Sequence, residues 1–282
     1  MKATTLAVSM PYEGCDKDCP YCVSKMTGYM KANKELFFRN LRKAKTLATA
    51  SQVTDVIITG KGEPMFNEES RNDVLEVCDI LNEFPIVLQT NGRFLLKDAH
   101  KDGYWIQLLS TVAEMNTVAV SIDNKSLFHL YKRLWEELNE NGFTIRVTVN
   151  LNNVSVEEPF EWYIEQCKKY GIHQISFREI TIPNYRQETE ESNKAAEWIK
   201  ERATKGINEW IAALAVKLAN NGRKLRNLPY GAVLYDYEGI SVTHFDYCIQ
   251  DSSENGDDIR SLIYQENGHM YTTWNSEASR IF

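Results

Sequence analysis

The stretch Gly14-Cys-Asp-Lys-Asp-Cys-Pro-Tyr-Cys22 is the most informative part of this sequence. It places Cys15, Cys19 and Cys22 on one short segment with CxxxCxxC spacing. Three thiolates spaced in this way can hold three irons of a [4Fe–4S] cluster, because such clusters are ligated by cysteine. The segment has no fourth cysteine, so one iron would keep an open position, as catalytic metal sites generally do. The spacing alone also allows a three-cysteine zinc site.

The residues around this segment carry a family resemblance. An apolar run at residues 6–10 precedes it, and Tyr21 puts an aromatic side chain directly before the last cysteine. This pattern resembles the radical S-adenosylmethionine (radical SAM) enzymes, whose CxxxCx-aromatic-C signature lies on the loop after the first strand of a barrel. The resemblance implies that the three cysteines ligate a [4Fe–4S] cluster, that SAM binds the open iron, and that Tyr21 packs beside the adenine. A simpler role for Tyr21 is to shield the cluster.

A second motif follows in the order expected for that family. Thr59-Gly-Lys-Gly-Glu-Pro64 resembles the family's glycine-rich SAM-binding loop in its GxGEP form. The resemblance implies that Gly60, Gly62 and Glu63 approach the methionine part of SAM. The residue type fits, since glycine lets backbone come close to a ligand without interference from a Cβ. We expect Lys61, in the same loop, to be a solvated charge.

Two further segments resemble strand ends of one branch of the family. Residues 89–92 (Gln-Thr-Asn-Gly) and 120–123 (Val-Ser-Ile-Asp) are similar to the ends found in molybdenum-cofactor cyclases and peptide-modifying enzymes. The resemblance implies that Ser121 and Asp123 hydrogen-bond the ribose or the carboxylate of SAM. Asp123 could instead cap the following helix, since Asp is a favoured N-cap residue. In all, the resemblance covers roughly residues 4–182.

The hydrophobic pattern predicts an α/β fold. Six apolar, β-rich runs alternate with helical patterns, which indicates a parallel sheet with helical crossovers. This corresponds to a partial (β/α)6 TIM-like barrel, the core that the family resemblance also implies. In parallel barrels the chemistry lies at the carboxyl ends of the strands, and each motif above falls at such an end. The β-rich runs are 4–10, 53–59, 85–90, 117–122, 144–151 and 173–180, and the helical patterns are 33–49, 68–83, 102–113, 126–140 and 157–170.

After about residue 183 the pattern changes, and we expect a C-terminal extension made of helices and a β-hairpin. A helical stretch covers residues 188–221, with a break near Gly206. Asn267-Gly268 lies between two β-prone runs, and this is the strongest short-range hairpin signal. We therefore expect residues 1–182 to form the barrel and residues 183–282 to cover its mouth.

Polar residues on the fifth and sixth predicted strands are the candidates for catalysis or substrate contact. Arg178 and Asn150 are chosen because polar and charged side chains inside apolar strands are rarely buried without a partner. Arg178 also loosely resembles the end of the family's sixth strand. Neighbours on a strand point to opposite sides, so Arg178 and Glu179 cannot both face the barrel mouth. Further candidates are Arg146, Asn91 and Arg93, and an aromatic lid (or core cluster) of Tyr230, Tyr235, Tyr237, His244, Phe245 and Tyr247.

Composition excludes several other classes of protein. The chain of 282 residues has a net charge of −7, which disfavours nucleic-acid binding, since that rests on clustered Lys and Arg. No apolar run approaches the roughly 20 residues needed to span a bilayer, so we expect no membrane association. Six cysteines in a chain this long do not indicate a disulfide framework, and reduced thiols suit the cytoplasm. Cys78 and Cys167 lie in helical patterns and are expected to be buried, and Cys248 alone is too little for an auxiliary cluster.

Together these features predict an enzyme. The resemblance implies reductive cleavage of SAM at the cluster to a 5′-deoxyadenosyl radical, which abstracts hydrogen from a small-molecule or peptide substrate. The electron would come from a donor such as flavodoxin or ferredoxin. A different enzyme with the same cofactors would be an activase that installs a glycyl radical in a partner protein. The non-enzymatic alternative is an iron–sulfur or zinc-binding protein that does not bind SAM.

Overall fold

The computed structural model describes residues 2–204, 206–228, 232–245, 259–274 and 276–282. Their strands, numbered in chain order, are β1 (Ala3–Ser9), β2 (Asp55–Thr59), β3 (Ile86–Thr90), β4 (Met115–Ile122), β5 (Thr144–Leu151), β6 (Gln174–Glu179), β7 (Arg223–Asn227), β8 (Val233–Tyr237), β9 (Ile240–Phe245), β10 (Ile259–Tyr264) and β11 (Met270–Tyr271). They form one sheet in the order β11-β10-β1-β2-β3-β4-β5-β6-β9-β8-β7.

Strands β1 to β6 lie side by side in chain order, and all are parallel. This confirms the α/β fold predicted from the alternating pattern. The sheet ends at β11 on one side and β7 on the other, so it is open, as in a partial barrel. In this register Ser9 pairs with Thr59, and Asn150 pairs with Arg178, which brings residues of the candidate site to one edge of the sheet.

The helices connect these strands. Two details differ from the prediction: a short helix follows β3, and the pattern at 126–140 is divided at Tyr131 into two helices. No helix in the described part of the chain is both long and apolar enough to cross a membrane. The helices are α1 (Val23–Thr27), α2 (Lys34–Ala50), α3 (Glu68–Ile80), α4 (Arg93–Ala99), α5 (Tyr104–Ser110), α6 (Ser126–Leu130), α7 (Lys132–Glu140), α8 (Phe160–Tyr170), α9 (Glu190–Arg202) and α10 (Ile207–Asn221).

Side chains alternate between an apolar face and a more polar face of the strands. On β5, Val149 is fully buried in the hydrophobic core, whereas the next residue, Asn150, borders a cavity. On β6, Phe177 is fully buried and packs edge-on against Phe160 and Tyr163 of α8. Full burial of such an apolar side chain contributes roughly 1.5–3 kcal/mol. Packing on the helix-covered face therefore holds the polar face in position.

Caps fix the starts of the two helices that follow the site loops. The Asn33 side chain accepts a hydrogen bond from the Leu36 backbone N–H at 3.0 Å and begins α2. Asn67 and Ser70 form a reciprocal capping box at the start of α3, with distances of 2.8 and 3.0 Å. An N-cap of this kind contributes about 1 kcal/mol. The glycine-rich loop is thus followed by a helix with a capped start, whereas the cysteine segment leads directly into α1, which has no side-chain cap and is followed by the capped α2.

The C-terminal part contributes strands to both sides of the six-stranded core. The predicted hairpin is present, because β10 and β11 are antiparallel with Tyr264 opposite Met270. The sequence did not predict that β10 also pairs in parallel with β1, or that β9 pairs in parallel with β6. It also did not predict the antiparallel strands β7 and β8. The predicted helix break near Gly206 is confirmed, since this residue precedes α10 at φ +74°.

Candidate active site

A cavity of about 350 Å³ lies where the parallel strands end. Residues of both loops quoted above border it, together with side chains from several strand ends and from the C-terminal part. The polar and charged residues that border it are Cys15, Lys17, Cys19, Tyr21, Cys22, Ser24, Thr59, Lys61, Glu63, Gln89, Thr90, Asn91, Ser121, Thr148, Asn150, Arg178, Arg260, Ser261, Thr272 and Trp274. The structure therefore brings together the residues predicted to hold the cluster, SAM and the substrate, with Gly60 and Gly62 also at the cavity wall; Asp123 and the further candidates Arg146 and Arg93 do not border it.

The three cysteines of the segment face this cavity from the loop between β1 and α1. Cys22 directly precedes α1, and its backbone N–H donates to the Cys19 carbonyl at 3.2 Å. Burial is the main reason that the pKa of the Cys19 thiol is raised to about 11; the charge of Lys17 opposes the shift, and Asp123 and the neighbouring sulfurs add to it. Burial also raises the pKa of Cys15. A bound cation would favour the thiolates, since metal coordination deprotonates a thiol.

The arrangement of these thiols bears on which metal group fits. Among the described residues, no three His, Cys, Asp or Glu side chains lie close enough together to hold a single metal ion. The three cysteines instead border a cavity, which suits a group of several irons that fills volume between them. Three soft sulfur ligands are also the donor type that iron–sulfur clusters take. The three thiols at the wall of this cavity therefore fit an iron–sulfur cluster.

The glycine-rich loop packs directly on the cysteine segment. A Cβ at Gly62 would lie 2.9 Å from the Tyr12 carbonyl oxygen and still closer to the backbone of Gly14. The backbone N–H of Glu63 donates to the Gly14 carbonyl at 2.7 Å. At Gly60 a Cβ would be 3.3 Å from the Gly62 carbonyl oxygen, within the same loop. The absence of a side chain at Gly62 is thus required by contact between the two loops.

The Glu63 side chain connects the loop to the end of β3. Its buried carboxylate accepts hydrogen bonds from the Thr90 hydroxyl at 2.6 Å, the Asn91 N–H at 2.7 Å and the Met65 N–H at 3.1 Å. Burial raises the pKa of Glu63 to about 7, although these donors oppose the shift. Because the Glu63 carboxylate is hydrogen-bonded within the protein, a ligand at this position would contact the backbone of Glu63 and not its side chain.

Asn91 links the end of β3 to the cysteine segment. Its Nδ2 lies 2.7 Å from Asp16 Oδ1 and 3.7 Å from Cys15 Sγ. The guanidinium of Arg93 donates to the Asp16 carbonyl. The Asn91 side chain also accepts from the Arg93 N–H at 2.8 Å, a contact that shapes the turn between β3 and α4. Asp16 was missed by sequence reasoning, although its place between two cysteines was a signal.

Asp123 and Tyr21 attach the cysteine segment to the end of β4. Asp123 accepts from Lys17 Nζ at 2.9 Å and from the Tyr21 hydroxyl at 3.0 Å. Asn150 Nδ2 lies 3.4 Å from the same hydroxyl, and the Tyr21 ring packs on Trp198 at 5.1 Å between centroids. Burial and the charge of Asp123 raise the pKa of Tyr21 well above its ordinary value, so the hydroxyl remains a donor.

The alternative of Asp123 as a helix cap is wrong, because Lys125 occupies the position before α6 and the Asp123 carboxylate caps nothing. The predicted contact between Asp123 and SAM stays a prediction. Ser121, two residues earlier on β4, does border the cavity.

Lys61 was expected to be a solvated charge, but its side chain is only 7% exposed. Its Nζ donates to the Gly28 carbonyl at 2.8 Å and lies 3.9 Å from Glu266 Oε1. Burial lowers the pKa of Lys61. The prediction of a solvated charge was wrong because the C-terminal part covers this loop.

Arg178 borders the cavity, whereas Glu179 pairs with His244, with 3.0 Å between Oε1 and Nε2. This is the alternation predicted for adjacent strand residues.

Of the described aromatic candidates, Phe245 borders the cavity, and Tyr237 is buried against Phe160 in the core. Tyr235 packs against the same core. The remaining candidates Tyr230 and Tyr247, and also Cys248, lie outside the described residues. Cys78 and Cys167 are buried, as predicted.

Comparisons with known proteins agree with this geometry. Residues 9–202 match the family model of the Radical SAM superfamily. The chain is 33% identical over 92 residues to a GTP 3′,8-cyclase of Clostridium acetobutylicum, a match that covers 32% of this chain and 29% of that protein.

The fold is similar to that of SuiB from Streptococcus suis. The structure of SuiB bound to S-adenosylmethionine has a TM-score of 0.57 at 15% identity and covers 95% of this chain and 60% of SuiB. The structure bound to precursor peptide SuiA has a TM-score of 0.59 at 15% identity, with 95% and 59% covered. The chain therefore spans less than two thirds of the length of these proteins. Because the family model covers well over half of the chain and its motif residues meet at one cavity, this protein belongs to the radical SAM superfamily.

Proposed function

We propose that this protein is an enzyme that reductively cleaves SAM at a [4Fe–4S] cluster and uses the resulting 5′-deoxyadenosyl radical to abstract hydrogen from a small-molecule or peptide substrate. One observation carries the proposal: the three cysteines, the glycine-rich loop and the ends of β3 to β6 border a single cavity. A volume of about 350 Å³ lies in the range of ligand-binding pockets.

Cys15, Cys19 and Cys22 are the residues that would hold the cluster. Burial raises the pKa of both Cys15 and Cys19, so the free thiols would stay protonated near neutral pH. Ligation to iron offsets this cost by stabilising the thiolates. Asn91 donates hydrogen bonds to Cys15 and Asp16, and Lys17 forms an ion pair with Asp123. These contacts would hold the cysteine segment in place in the metal-free protein as well.

The other polar residues at the cavity wall would hold SAM. In this proposal Gly60, Gly62 and the backbone of Glu63 meet its methionine part, Ser121 and Asp123 its polar groups, and Tyr21 its adenine. The ring of Tyr21 is fixed from one side by Trp198 and through its hydroxyl by Asp123, which supports a role as a positioned platform. Arg178 and Asn150 remain for the substrate, since both border the cavity from the last two core strands.

The C-terminal part would exclude water from the reaction. In the proposed division, residues 1–182 form the barrel and residues 183–282 cover its mouth. Thr272 and Trp274 border the cavity, as do apolar residues such as Ile57 and Ile263. A radical reacts with whatever lies beside it, so a partly apolar wall that limits access of water protects it from side reactions.

The substrate class is left as small molecule or peptide, and each has one point of support. The GTP 3′,8-cyclase relative is named for a small molecule, and the SuiB neighbour has been solved bound to its precursor peptide SuiA. The reducing electron would come from a partner such as flavodoxin or ferredoxin. We propose a cytoplasmic location, where such donors and reduced thiols occur together.

The proposal is tested by anaerobic reconstitution with iron and sulfide, followed by calorimetry with SAM. We expect about four irons per chain, SAM binding, and release of 5′-deoxyadenosine on reduction. Cys19→Ala should lose iron and SAM cleavage together. Cys78→Ala is the matched control, because that buried cysteine lies on α3 away from the cavity and its loss should leave the iron content unchanged. Zinc in the purified protein without iron uptake, or iron uptake without SAM binding, would contradict the proposal.

A further inference from the structure

The open side of the sheet is bridged by an aromatic ring between two guanidinium groups. The Phe245 ring centroid lies 5.6 Å from Cζ of Arg178 and 5.4 Å from Cζ of Arg260. Arg178 is the penultimate residue of β6 and Phe245 ends the neighbouring strand β9, whereas Arg260 belongs to β10. In the sheet order, six strands separate β10 from β9. The contact therefore spans the gap that keeps the barrel open, and we call these three residues the seam cluster.

The seam cluster faces the same cavity as the three cysteines. Four of the described residues that border the cavity are cationic, namely Lys17, Lys61, Arg178 and Arg260, and Glu63 is the acidic one. The Glu63 carboxylate accepts three hydrogen bonds within the protein. Lys17 and Lys61 lie beside the carboxylates of Asp123 and Glu266, so the two arginines of the seam cluster are the cations of the described wall that suit an anionic ligand.

A third arginine lies behind the seam cluster. Arg146 shares the inner side of β5 with Asn150, and its Nε donates to the Gln174 side chain at 2.7 Å. Burial lowers the pKa of Arg146, and the nearby charge of Arg178 lowers it further. Arg146 does not border the cavity itself, but its positive charge adds to the potential that an anion near Arg178 would meet.

We propose that the seam cluster is a subsite for an anionic group of the substrate, a carboxylate or a phosphate. The planar fork of arginine suits both groups through paired hydrogen bonds. Phe245 would hold the two guanidinium planes by cation–π contact, which is favourable at these distances. Phe245 and Arg260 lie outside residues 9–202, the part that matches the family model, so this subsite is a feature of this chain's own C-terminal part. The inference rests on the proposed function and assigns its substrate a charge.

Calorimetry on the reconstituted enzyme with saturating SAM tests the subsite. Inorganic phosphate and succinate are the two probes, and the one that binds identifies the kind of anionic group. Arg178→Gln and Arg260→Gln should each weaken that binding about tenfold or more, since a hydrogen bond to a charged group is worth roughly one decade in affinity. Arg42→Gln is the matched control, because Arg42 is exposed on α2. Iron content and SAM affinity should not change in any of the three variants.

Three results would overturn the subsite. The first is that neither anion binds at millimolar concentration in the SAM-loaded enzyme. The second is that an anion binds only without SAM and competes with it, because the arginines would then serve the SAM carboxylate. The third is unchanged anion affinity in Arg260→Gln. If that variant fails to fold, Arg260→Lys keeps the charge, removes the fork, and should still weaken binding. Failure of the wild-type enzyme to bind iron or SAM would instead count against the proposed function.

Discussion

Gly62 lies so close to Gly14 that a Cβ at position 62 would overlap the Gly14 carbonyl oxygen. The glycine-rich loop and the cysteine segment are therefore one packed unit, and the Glu63 N–H to Gly14 carbonyl bond fastens them together. A change designed to affect only the cofactor-binding loop will also move the segment that carries the three cysteines.

Gly62→Ala should consequently reduce both iron content and SAM binding. The added methyl group must displace backbone, and overpacking of this kind typically costs about 1–3 kcal/mol. Gly60→Ala is the control in the same loop, because the nearest atoms to its Cβ would be backbone atoms of Gly62 at 3.3 Å or more. Iron per chain after reconstitution and the urea midpoint are the measurements. Full iron occupancy in Gly62→Ala, with only SAM affinity reduced, would contradict the coupling of the two loops.

The stability of the iron-free protein should depend on pH through Glu63. Burial raises the pKa of this carboxyl to about 7 from an ordinary value of 4.5. The folded state therefore keeps a proton that the unfolded state has released, and the stabilisation present below about pH 4.5 is lost as pH rises toward 7. The loss should be on the order of 3 kcal/mol.

Urea unfolding of wild type and Glu63→Gln between pH 4.5 and 7.5 measures this effect. The variant cannot titrate at this position, so the difference in free energy of unfolding between the two proteins should shrink or reverse as pH rises. Parallel curves would mean that the three donors to Glu63 keep it ionised throughout.

Asp123→Asn should loosen the cysteine segment. The change removes the charge partner of Lys17, whose side chain is only 13% exposed, and a hydrogen bond to a charged group is worth about 1.5–3 kcal/mol. We expect reduced SAM cleavage and faster proteolysis of the segment in the iron-free protein. Tyr21→Phe deletes only the neutral donor to Asp123 and should have a smaller effect, about 0.5–1.5 kcal/mol. If the two variants showed the same SAM cleavage and the same rate of proteolysis, the ion pair of Asp123 with Lys17 would not be the main contact that holds the cysteine segment.

Lys61→Met should destabilise the protein by leaving Glu266 without its nearby cation. Glu266 is 2% exposed, and its Oε1 accepts from the Met30 N–H while lying 3.9 Å from Lys61 Nζ. A buried carboxylate that loses its partner costs roughly 1–3 kcal/mol. The double variant Lys61→Met/Glu266→Gln should recover part of this loss in thermal or urea unfolding. Additive effects of the two single changes would show that the side chains do not interact.

Local pattern was enough to predict the six core strands, because each one alternates with a helix and is bounded by its own turn residues. It was also enough for the hairpin, whose turn at Gly268 has φ +77°. The partners of β9 and β10 were missed since a strand pattern does not say which existing strand it will join. The burial of Lys61 was missed for a similar reason, because Glu266 is remote in sequence.

In the candidate site, too, local motifs could be predicted from the sequence, whereas contacts between distant segments could not. Motif spacing predicted residues that meet at one cavity, but it assigned ligand contacts to side chains that also hold the protein together. The carboxylates of Glu63 and Asp123 each accept hydrogen bonds from residues of neighbouring segments. Such double use depends on which loops touch, and no single segment of sequence contains that information. The contact between Arg260 and Phe245 was not predicted from the sequence for the same reason.

The pairing of β10 with β1 has a consequence for how the protein folds. The hydroxyls of Thr5 and Ser261 lie 2.6 Å apart although 256 positions separate them in the sequence. During synthesis β1 thus has one unpaired edge until β10 leaves the ribosome, and such an edge is prone to wrong pairing. Contacts of such long range also slow folding. The loop that carries the cysteines follows β1 directly, so the strand that supports it is paired on both edges only after β10 has been made.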